Sequence, residues 1–441
     1  MGSCTSLEHQ SFAIEAQSHI DHVIIIVQEN RSFDNLFYGY PGADTATHAI
    51  VADGQSVALQ PVSLKAGYDL DNSFHAFVSS TKDGKMEHYD SRATIPRRGA
   101  KVPLKAVQYP AIAYVPKDEI APYWEMARRY TLADRMFPSN FDQSFAAHLY
   151  LIAATSARAV DVPNAKPWGC DAPGKTRVPL ISLKEKEIDG SAFPCFGIKT
   201  IVDELDKSHK TWAYYAPRVS SGSQWLNRRN TLMKKKPLPH GDFDTGQLWS
   251  SFDAIPAVRY GPGWDNVISP PATVLRDIGN GHLANVSWVI PDWANSDHPI
   301  TRSASGPSWV SAVVNAVGKS RYWSSTAIIV VWDDSGGWYD HVHPPEVDYD
   351  GLGVRVPMVL ISPYAKRGYI SHRQYESGSI LRFVEDVFDL ERLADSDKRA
   401  NDLVDCFDFG QRPVKFNPIK APFGPKYFLK QRDSLVAPDD D

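Results

Sequence analysis

The chain has 441 residues, of which 43% are hydrophobic and 22% charged, a composition typical of a globular protein. Its formal net charge is −5 and like charges occur only in short runs, which excludes a general nucleic-acid binder and a protein held on an anionic membrane by basic residues. No apolar stretch approaches the roughly 18 residues that a transmembrane helix needs, so we expect no transmembrane segment.

The first residues of the chain, Met1 to Ser6, match the N-myristoylation pattern M-G-x-x-x-[ST], with Cys4 available for a second acyl chain. An expression scar fused to a mature chain explains the same residues, and we prefer this interpretation. We therefore expect residues 1–19 to form a tail, with a lipid anchor at the N-terminus as the alternative.

Four short runs of aliphatic residues predict strands. Their apolar character is continuous rather than alternating, which is typical of parallel strands buried on both faces. The runs are His22 to Gln28, Val286 to Ile290, Thr326 to Trp332, and Val356 to Ser362. They predict an α/β sandwich with a mostly parallel central sheet and helices on both faces.

Helical patterns fall between or after these runs. In the last of them, Ile380, Phe383 and Val384 share one face, as in a helix that packs on a core. The predicted helices span residues 122–130, 145–157, 200–207, 308–317 and 379–388.

Two long segments, about 39–121 and 163–262, are dense in Pro, Gly and Asp and show weak apolar periods. Segments of this length inside an enzyme are usually lids or substrate-binding insertions. We expect one catalytic domain over residues 20–392 that contains both insertions, followed by a C-terminal extension at 393–441 packed on the domain.

Cys170 and Cys195 lie 25 residues apart, and neither has a CxxC partner or a histidine at zinc spacing. We interpret them as a disulfide, with two free thiols as the alternative. A disulfide implies an oxidising compartment, so we expect a secreted or periplasmic protein. Cys4 and Cys406 stay unassigned.

Polar residues follow three of the predicted strands, at the edge where open α/β sheets bind ligands. The first strand runs into Glu29 and Asn30, a second into Asp333 and Asp334, and a third leads to His298. Adjacent acids after a buried strand favour an oxygen-ligand metal site, because a cation relieves their repulsion. The alternative is that one pair caps a helix and the other forms a turn.

A hydroxyl group at the start of a predicted helix is a candidate nucleophile if a base or a metal ion activates it. Ser144 begins the apolar helix predicted at 145–157. Serine is also a common N-cap, and that role is the alternative.

Four strings resemble the phosphoesterase family of bacterial acid phosphatases and non-specific phospholipases C: HVIIIVQENRSFDNLF from His22, SDHP from Ser296, WDDSGGWYDHV from Trp332, and RVPMVLISPYAKRGYISH from Arg355. The resemblance covers about residues 20–392 and implies an alkaline-phosphatase-like fold with a phosphoryl-enzyme mechanism. It assigns the metal ligands to Glu29, Asn30, Asp333 and Asp334. It assigns the nucleophile to Ser144, and phosphate binding or proton transfer to His298 and His75.

The chain also departs from the family pattern. The nucleophile segment reads Ser-Phe-Ala-Ala-His, where plant phospholipases C have Thr-His-Pro-Asn-Arg, and Asn72 stands where the family often has a histidine near His75. The resemblance is therefore closer to the acid-phosphatase-like branch.

We expect a metal-dependent phosphoric ester hydrolase of the phosphomonoesterase type that acts through a phosphoserine. A phospholipase C and a catalytically silent binding protein on the same scaffold are the alternatives. One divalent ion is expected, with Ca²⁺, Mg²⁺, Mn²⁺ and Zn²⁺ not distinguished. The expected partner is a phosphate ester, with phospholipid as the alternative and no nucleic acid.

One further motif and four histidines are not part of the predicted site. Residues 169–176 match the Walker A pattern letter for letter, but they neither follow a predicted buried strand nor open a predicted helix, so we expect no nucleotide site there. The roles of four histidines stay open: His148, His240, His341 and His343.

Overall fold

The computed structural model describes residues 2–96, 107–141, 143–184, 186–218, 249–299 and 301–432. Within these residues, nine strands form the central sheet. They are β1 His22–Gln28, β2 Thr131–Phe137, β3 Trp212–Tyr215, β4 Val267–Ile268, β5 Val286–Val289, β6 Thr326–Trp332, β7 Val356–Ile361, β8 Tyr369–Ser371 and β9 Tyr375–Glu376.

The helices in the described residues range from four to 18 residues in length. They are α1 Gly2–His19, α2 Phe33–Phe37, α3 Phe74–Ser80, α4 Ala121–Arg129, α5 Ser144–Ala153, α6 Ile201–Lys207, α7 Pro256–Arg259, α8 Thr273–Asn280, α9 Gly306–Gly318, α10 Ser377–Phe388, α11 Asp395–Arg399 and α12 Pro425–Phe428.

The sheet runs in the order β4, β3, β5, β1, β6, β7, β2, β8, with β9 also paired to β2. Among the described strands of this sheet, only β7 runs antiparallel to its neighbours, and the other pairings are parallel. The strands β1, β6 and β7 are almost fully buried, and the helices that cover the sheet pack in groups such as α1 with α10 and α4 with α9. The predicted α/β sandwich with a mostly parallel sheet is confirmed.

The four predicted strands are all present. The bounds of β1 and β6 match the prediction, while β5 and β7 each end one residue earlier. The strand β2 was missed because Asp134 and Arg135 interrupt its apolar run. Asp134 is nevertheless fully buried, because its carboxylate accepts from the backbone N–H of Asp44 at 2.9 Å and lies 2.8 Å from His372 Nδ1.

All five predicted helices are present within a few residues. The largest difference is in α5, which ends at Ala153 rather than at residue 157, because Ala154 adopts the left-handed conformation with φ of 56°. The N-terminal segment contains α1, whose Phe12 packs against the rings of Phe383, Phe407 and Phe409.

The segment at 39–121 builds a small core of its own beside the main one. It pairs short strands at 48–50 with 56–58, at 60–61 with 113–114, and at 68–70 with 94–96. Its buried side chains include Leu70 and Phe74, which lie in one cluster with Phe141 and Trp338 of the main domain. The division into tail, catalytic domain, insertions and extension stays a prediction.

Cys170 and Cys195 form a disulfide, with Cα atoms 4.6 Å apart, which confirms the predicted pair. Cys406 is buried and free. The Walker-like segment around Cys170 contains a 3₁₀ turn at Gly169–Asp171 and leads into an edge strand at Val178–Ile181. This is not the strand-to-helix setting of a phosphate-binding loop. Within the described residues, no helix is long and apolar enough to cross a membrane.

Replacing both Cys170 and Cys195 by serine should lower the free energy of unfolding by about 2–4 kcal/mol, because the bond closes a loop of 25 residues. Denaturant titration measures the loss, and Cys406→Ser is the control that leaves the bond intact. Peptide mapping of the unreduced wild type should recover the two cysteines linked. Recovery of both as free thiols from protein made in an oxidising compartment would contradict the assignment.

Candidate active site

The carboxyl ends of β1 and β6 lie side by side, which brings their following residues together. Gln28 pairs in register with Trp332, so Glu29 and Asp333 are the next residues on neighbouring strands. The backbone N–H of Asp333 donates to the carbonyl of Gln28 at 2.9 Å. The N–H of Glu29 donates to the carbonyl of Ser296 at 2.8 Å, which attaches the loop after β5 to the same edge.

The oxygen atoms predicted to bind a metal converge on the hydroxyl group of Ser144. Ser144 Oγ lies 3.2 Å from Glu29 Oε2, 3.5 Å from Asn30 Oδ1 and 3.5 Å from Asp334 Oδ2. All four residues are at most 5% exposed. The structure therefore brings Glu29, Asn30, Ser144, Asp333 and Asp334 into one buried group, which we call the carboxylate cluster.

Ser144 does not have the geometry of a helix cap. The N-cap of α5 is Gln143, with φ of 68°, and Ser144 is the first helical residue. Its side chain points at the carboxylate cluster instead of accepting a bond from the backbone of its own helix. The contacts of its hydroxyl group thus favour a chemical role over the capping alternative.

His148 completes the cluster and was left open by the sequence. One turn after Ser144 on α5, its Nε2 lies 3.0 Å from Glu29 Oε1 and 3.6 Å from Asp333 Oδ2. The side chain is only 2% exposed. The signal in the sequence was the i, i+4 spacing from Ser144, which places both residues on one face of the helix.

The charges of the cluster call for a cation. Three carboxylates lie buried together, and among the described residues Asp333 Oδ2 has no hydrogen-bond partner. Burial opposes ionisation of Asp333, but the nearby imidazole of His148 outweighs it, so the pKa of Asp333 lies below its usual value. A buried, ionised oxygen that accepts no hydrogen bond is costly unless a metal ion binds it. The donor set therefore fits a divalent ion.

The cluster also depends on a close backbone approach. Asn30 has φ of 59°, and Gly336, with φ of 58°, lies directly against it. A Cβ atom at Gly336 would come within 2.5 Å of the carbonyl oxygen of Asn30.

Gly336→Ala should destabilise the protein by about 2 kcal/mol or more and lower turnover, because Asn30 must move to admit the methyl group. Gly54→Ala is the matched control: Gly54 also has positive φ, at 83°, but a Cβ atom there would have nothing within 4 Å, so only the conformational strain is added. Equal loss of stability and activity in the two variants would show that the approach to Asn30 is unimportant. Thermal unfolding and steady-state assays measure both.

His298 lies on the loop after β5 and is held by aromatic rings. It is 1% exposed, its ring centroid lies 4.8 Å from that of Trp293, and Trp249 stacks at 5.8 Å. Its Nδ1 lies 2.9 Å from the carbonyl of Pro299 and 3.4 Å from Asp69 Oδ2, so Nδ1 carries a proton. The backbone bond from Glu29 to Ser296 connects this loop to the carboxylate cluster.

His75 is placed differently from the other predicted residues. It lies on the exposed side of α3, beside the ring of Phe74. The residue of this segment that contacts the start of α5 is Asn72, which is 5% exposed and accepts a bond from Gln143 Nε2 at 3.3 Å. The catalytic role of His75 stays a prediction.

A buried ionic network supports the two loops that carry the cluster. The guanidinium of Arg355 donates to both oxygens of Asp340 at 3.0 and 3.2 Å, and it lies 3.4 Å from Asp34 Oδ1. The N–H of Asp34 donates to Asp340 Oδ2 at 3.0 Å, so the loop after β1 is joined to the loop after β6. All three residues belong to the strings that carried the family resemblance, which is the signal that could have identified them.

Two of the remaining histidines, His341 and His343, lie in the segment that follows β6. His341 Nδ1 lies 2.7 Å from Asp34 Oδ2; burial alone lowers the pKa of His341, but Asp34 raises it to about 9. His343 Nε2 lies 3.3 Å from the carbonyl of Thr81. His240 lies outside the described residues.

Residues 20–391 match the model of the Phosphoesterase family. The chain belongs to this family. The match covers nearly the same residues as the resemblance found in the sequence, about 20–392, and the family is one of hydrolases that act on phosphoric ester bonds.

Several curated proteins are similar to this chain, and those compared are phospholipases C. The hemolytic phospholipase C of Pseudomonas aeruginosa is 25% identical over 429 residues, covering 88% of this chain and 56% of that protein. Phospholipase C A of Mycobacterium tuberculosis is 24% identical, covering 90% of this chain and 79% of that protein. Non-specific phospholipase C1 of Arabidopsis thaliana is 31% identical, covering 92% of this chain and 74% of that protein. The chain thus spans little more than half of the first relative.

Solved structures give a weaker likeness. A protein in the alkaline phosphatase superfamily from Vibrio parahaemolyticus has a TM-score of 0.33 at 10% identity, covering 88% of this chain and 76% of that chain. The lipoteichoic acid synthase LtaP from Listeria monocytogenes has a TM-score of 0.40 at 7% identity, covering 91% of this chain and 82% of that chain. At these scores the likeness carries no argument about function.

Proposed function

We propose that the protein is a metal-dependent phosphoric ester hydrolase in which Ser144 is the nucleophile. The single observation that carries the proposal is the convergence of Glu29, Asn30 and Asp334 on Ser144 Oγ at 3.2 to 3.5 Å. A hydroxyl group needs activation at neutral pH, and a divalent ion held by these oxygens would supply it by lowering the pKa of the hydroxyl. A silent binding protein would have no need of this arrangement.

Glu29, Asn30, Asp333 and Asp334 would hold the ion, which would also neutralise charge on the phosphate oxygens. Ser144 Oγ attacks phosphorus in line, the bond from phosphorus to the leaving alkoxide breaks, and a phosphoserine forms. Water then attacks the phosphoserine and releases phosphate or a phosphomonoester.

His298 is assigned to the phosphate oxygens or to protonation of the leaving alkoxide. The Nδ1–H bond to the Pro299 carbonyl orients the ring, and Nε2 is the nitrogen that we assign to this task. His75 is assigned a supporting part in the same task, although its side chain is exposed on α3.

Two substrate classes fit this chemistry. We propose a phosphomonoester first, because the nucleophile segment departs from that of the plant phospholipases C. A phospholipid diester is the second candidate, because the compared relatives are named phospholipases C and share 24 to 31% identity with this chain.

A hydrolysis panel tests the proposal. It comprises a phosphomonoester, a choline phosphodiester and phosphatidylcholine, each with and without a chelator. We expect chelator-sensitive release from the monoester; release of diacylglycerol as the main activity would make the second candidate correct. No hydrolysis of any of the three with divalent metal present would count against the proposal.

We further propose that the protein is secreted or periplasmic, because the disulfide between Cys170 and Cys195 requires an oxidising compartment. Fractionation of the producing cells tests this assignment. A protein found only in the cytoplasm, with both thiols free, would contradict it.

A further inference from the structure

We propose that His148 is a ligand of the same metal ion, which makes the site a mixed nitrogen and oxygen site that prefers a transition metal such as Mn²⁺ or Zn²⁺ to Mg²⁺ or Ca²⁺. This inference rests on the proposed function, because it needs the ion assigned to the carboxylate cluster. It adds a fifth ligand to the four side chains assigned to the ion, and it names the class of metal that the site prefers.

The first argument is the convergence of three atoms. His148 Nε2, a carboxylate oxygen of Glu29 and one of Asp333 lie within 4.8 Å of one another, and all three side chains are buried. At metal–ligand distances of about 2.1 Å, two ligands of one ion lie roughly 3.0 Å apart in octahedral and roughly 3.4 Å apart in tetrahedral geometry. The nitrogen lies 3.0 and 3.6 Å from the two oxygens, so the spacing matches that of ligands around one ion.

The second argument is the oxygen that His148 leaves unsatisfied. An N–H group on Nε2 can donate to Glu29 Oε1 at 3.0 Å, but Asp333 Oδ2 at 3.6 Å is beyond hydrogen-bond distance. That oxygen is buried and has no hydrogen-bond partner among the described residues. A hydrogen bond from His148 therefore satisfies one carboxylate, whereas an ion between the three atoms satisfies both.

The carboxylate of Glu29 shows how one ion can reach both sides of the cluster. Its Oε2 faces Ser144 Oγ at 3.2 Å, and its Oε1 faces His148 Nε2 at 3.0 Å. Because Ser144 and His148 are one turn apart on α5, the same helix presents the nucleophile and the nitrogen ligand to this carboxylate.

The nitrogen donor decides the class of metal. Mg²⁺ and Ca²⁺ are hard cations that take oxygen ligands, whereas imidazole suits Zn²⁺ and other first-row transition metals. A nitrogen ligand that α5 holds beside four oxygen ligands therefore favours Mn²⁺ or Zn²⁺ over Mg²⁺ or Ca²⁺.

Pulsed electron paramagnetic resonance of the Mn²⁺-loaded, full-length protein tests the inference without reference to activity. The wild type should show modulation from a directly bound nitrogen, and labelling with ¹⁵N-histidine should change its frequency. The signal should be lost in His148→Asn and retained in His48→Asn, a control at an exposed histidine. A wild-type spectrum without histidine modulation would overturn the inference whether or not the variant folds.

Equilibrium dialysis of the metal-stripped protein against Mn²⁺ and Mg²⁺ supplies the second measurement. The preference of the wild type for Mn²⁺ should fall by about tenfold or more in His148→Asn. Equal weakening of both ions would overturn the inference and make His148 a group that only orients Glu29. Failure of the wild type to bind any ion stoichiometrically would instead refute the proposed function, and the inference with it.

Discussion

Ser144→Ala should lower turnover on the order of a thousandfold or more while the protein stays folded and still binds its metal ion. The hydroxyl group contacts Glu29, Asn30 and Asp334 rather than the backbone of α5, so its loss removes the attacking atom and no helix cap. Steady-state kinetics, thermal unfolding and metal analysis measure the three quantities. Wild type quenched with acid during turnover should yield a phosphoserine at this position, and the variant should yield none.

The matched control is Ser156→Ala, which removes a buried hydroxyl just beyond the same helix, where it lies 3.4 Å from Asp350. If Ser144→Ala kept more than about a tenth of wild-type turnover, the loss of transition-state stabilisation would be under about 1.4 kcal/mol, too little for a nucleophile. The attacking group would then be water bound to the metal ion.

Asp333→Asn should reduce metal occupancy and turnover together. The amide oxygen can still accept the N–H of Asn30, which Asp333 Oδ1 now binds at 3.0 Å, so the fold is preserved while one ligand charge is lost. Changing groups that merely orient metal ligands costs about 10- to 100-fold in affinity, and loss of a ligand charge should cost at least as much. Metal analysis after dialysis and assays across metal concentrations measure the effect.

Asp277→Asn is the control for this change of charge, because Asp277 on α8 accepts a hydrogen bond from Tyr215, away from the cluster. Metal content and turnover at wild-type levels in Asp333→Asn would remove Asp333 from the ligand set. A loss of turnover at full metal occupancy would assign it to orienting His148 instead.

Continuous apolar runs allowed the central strands to be predicted, because burial on both faces leaves a simple pattern. The pattern failed where an ionisable side chain is buried against partners that are distant in the chain. Asp134 in β2 is the clearest case, since Asp44 and His372 lie 90 and 238 residues away in the chain. The strand β3 was missed for another reason: four residues inside a long irregular segment are too few to show a period.

The residues of the site also divide into those that the sequence pattern indicates and those that only the folded structure brings together. Glu29 and Asp333 each follow an apolar run, so the strand ends marked them before any contact was known. The position of His148 in the cluster required the orientation of α5 relative to β1, which spacing along one helix does not contain. Likewise, the pairing of Arg355 with Asp340 spans 15 residues of loop and strand and depends on how β7 reverses direction beside β6.

The register of β1 with β6 has a consequence for how such proteins diverge. Glu29 and Asp333 are fixed by backbone hydrogen bonds of the sheet, with no connecting segment between the last paired residues and the side chains that act. Substitutions, insertions and deletions in the segments at 39–121 and 163–262 can therefore reshape what reaches the site without displacing these carboxylates. The range of accepted molecules can therefore change in small steps, each of which leaves these two carboxylates in place.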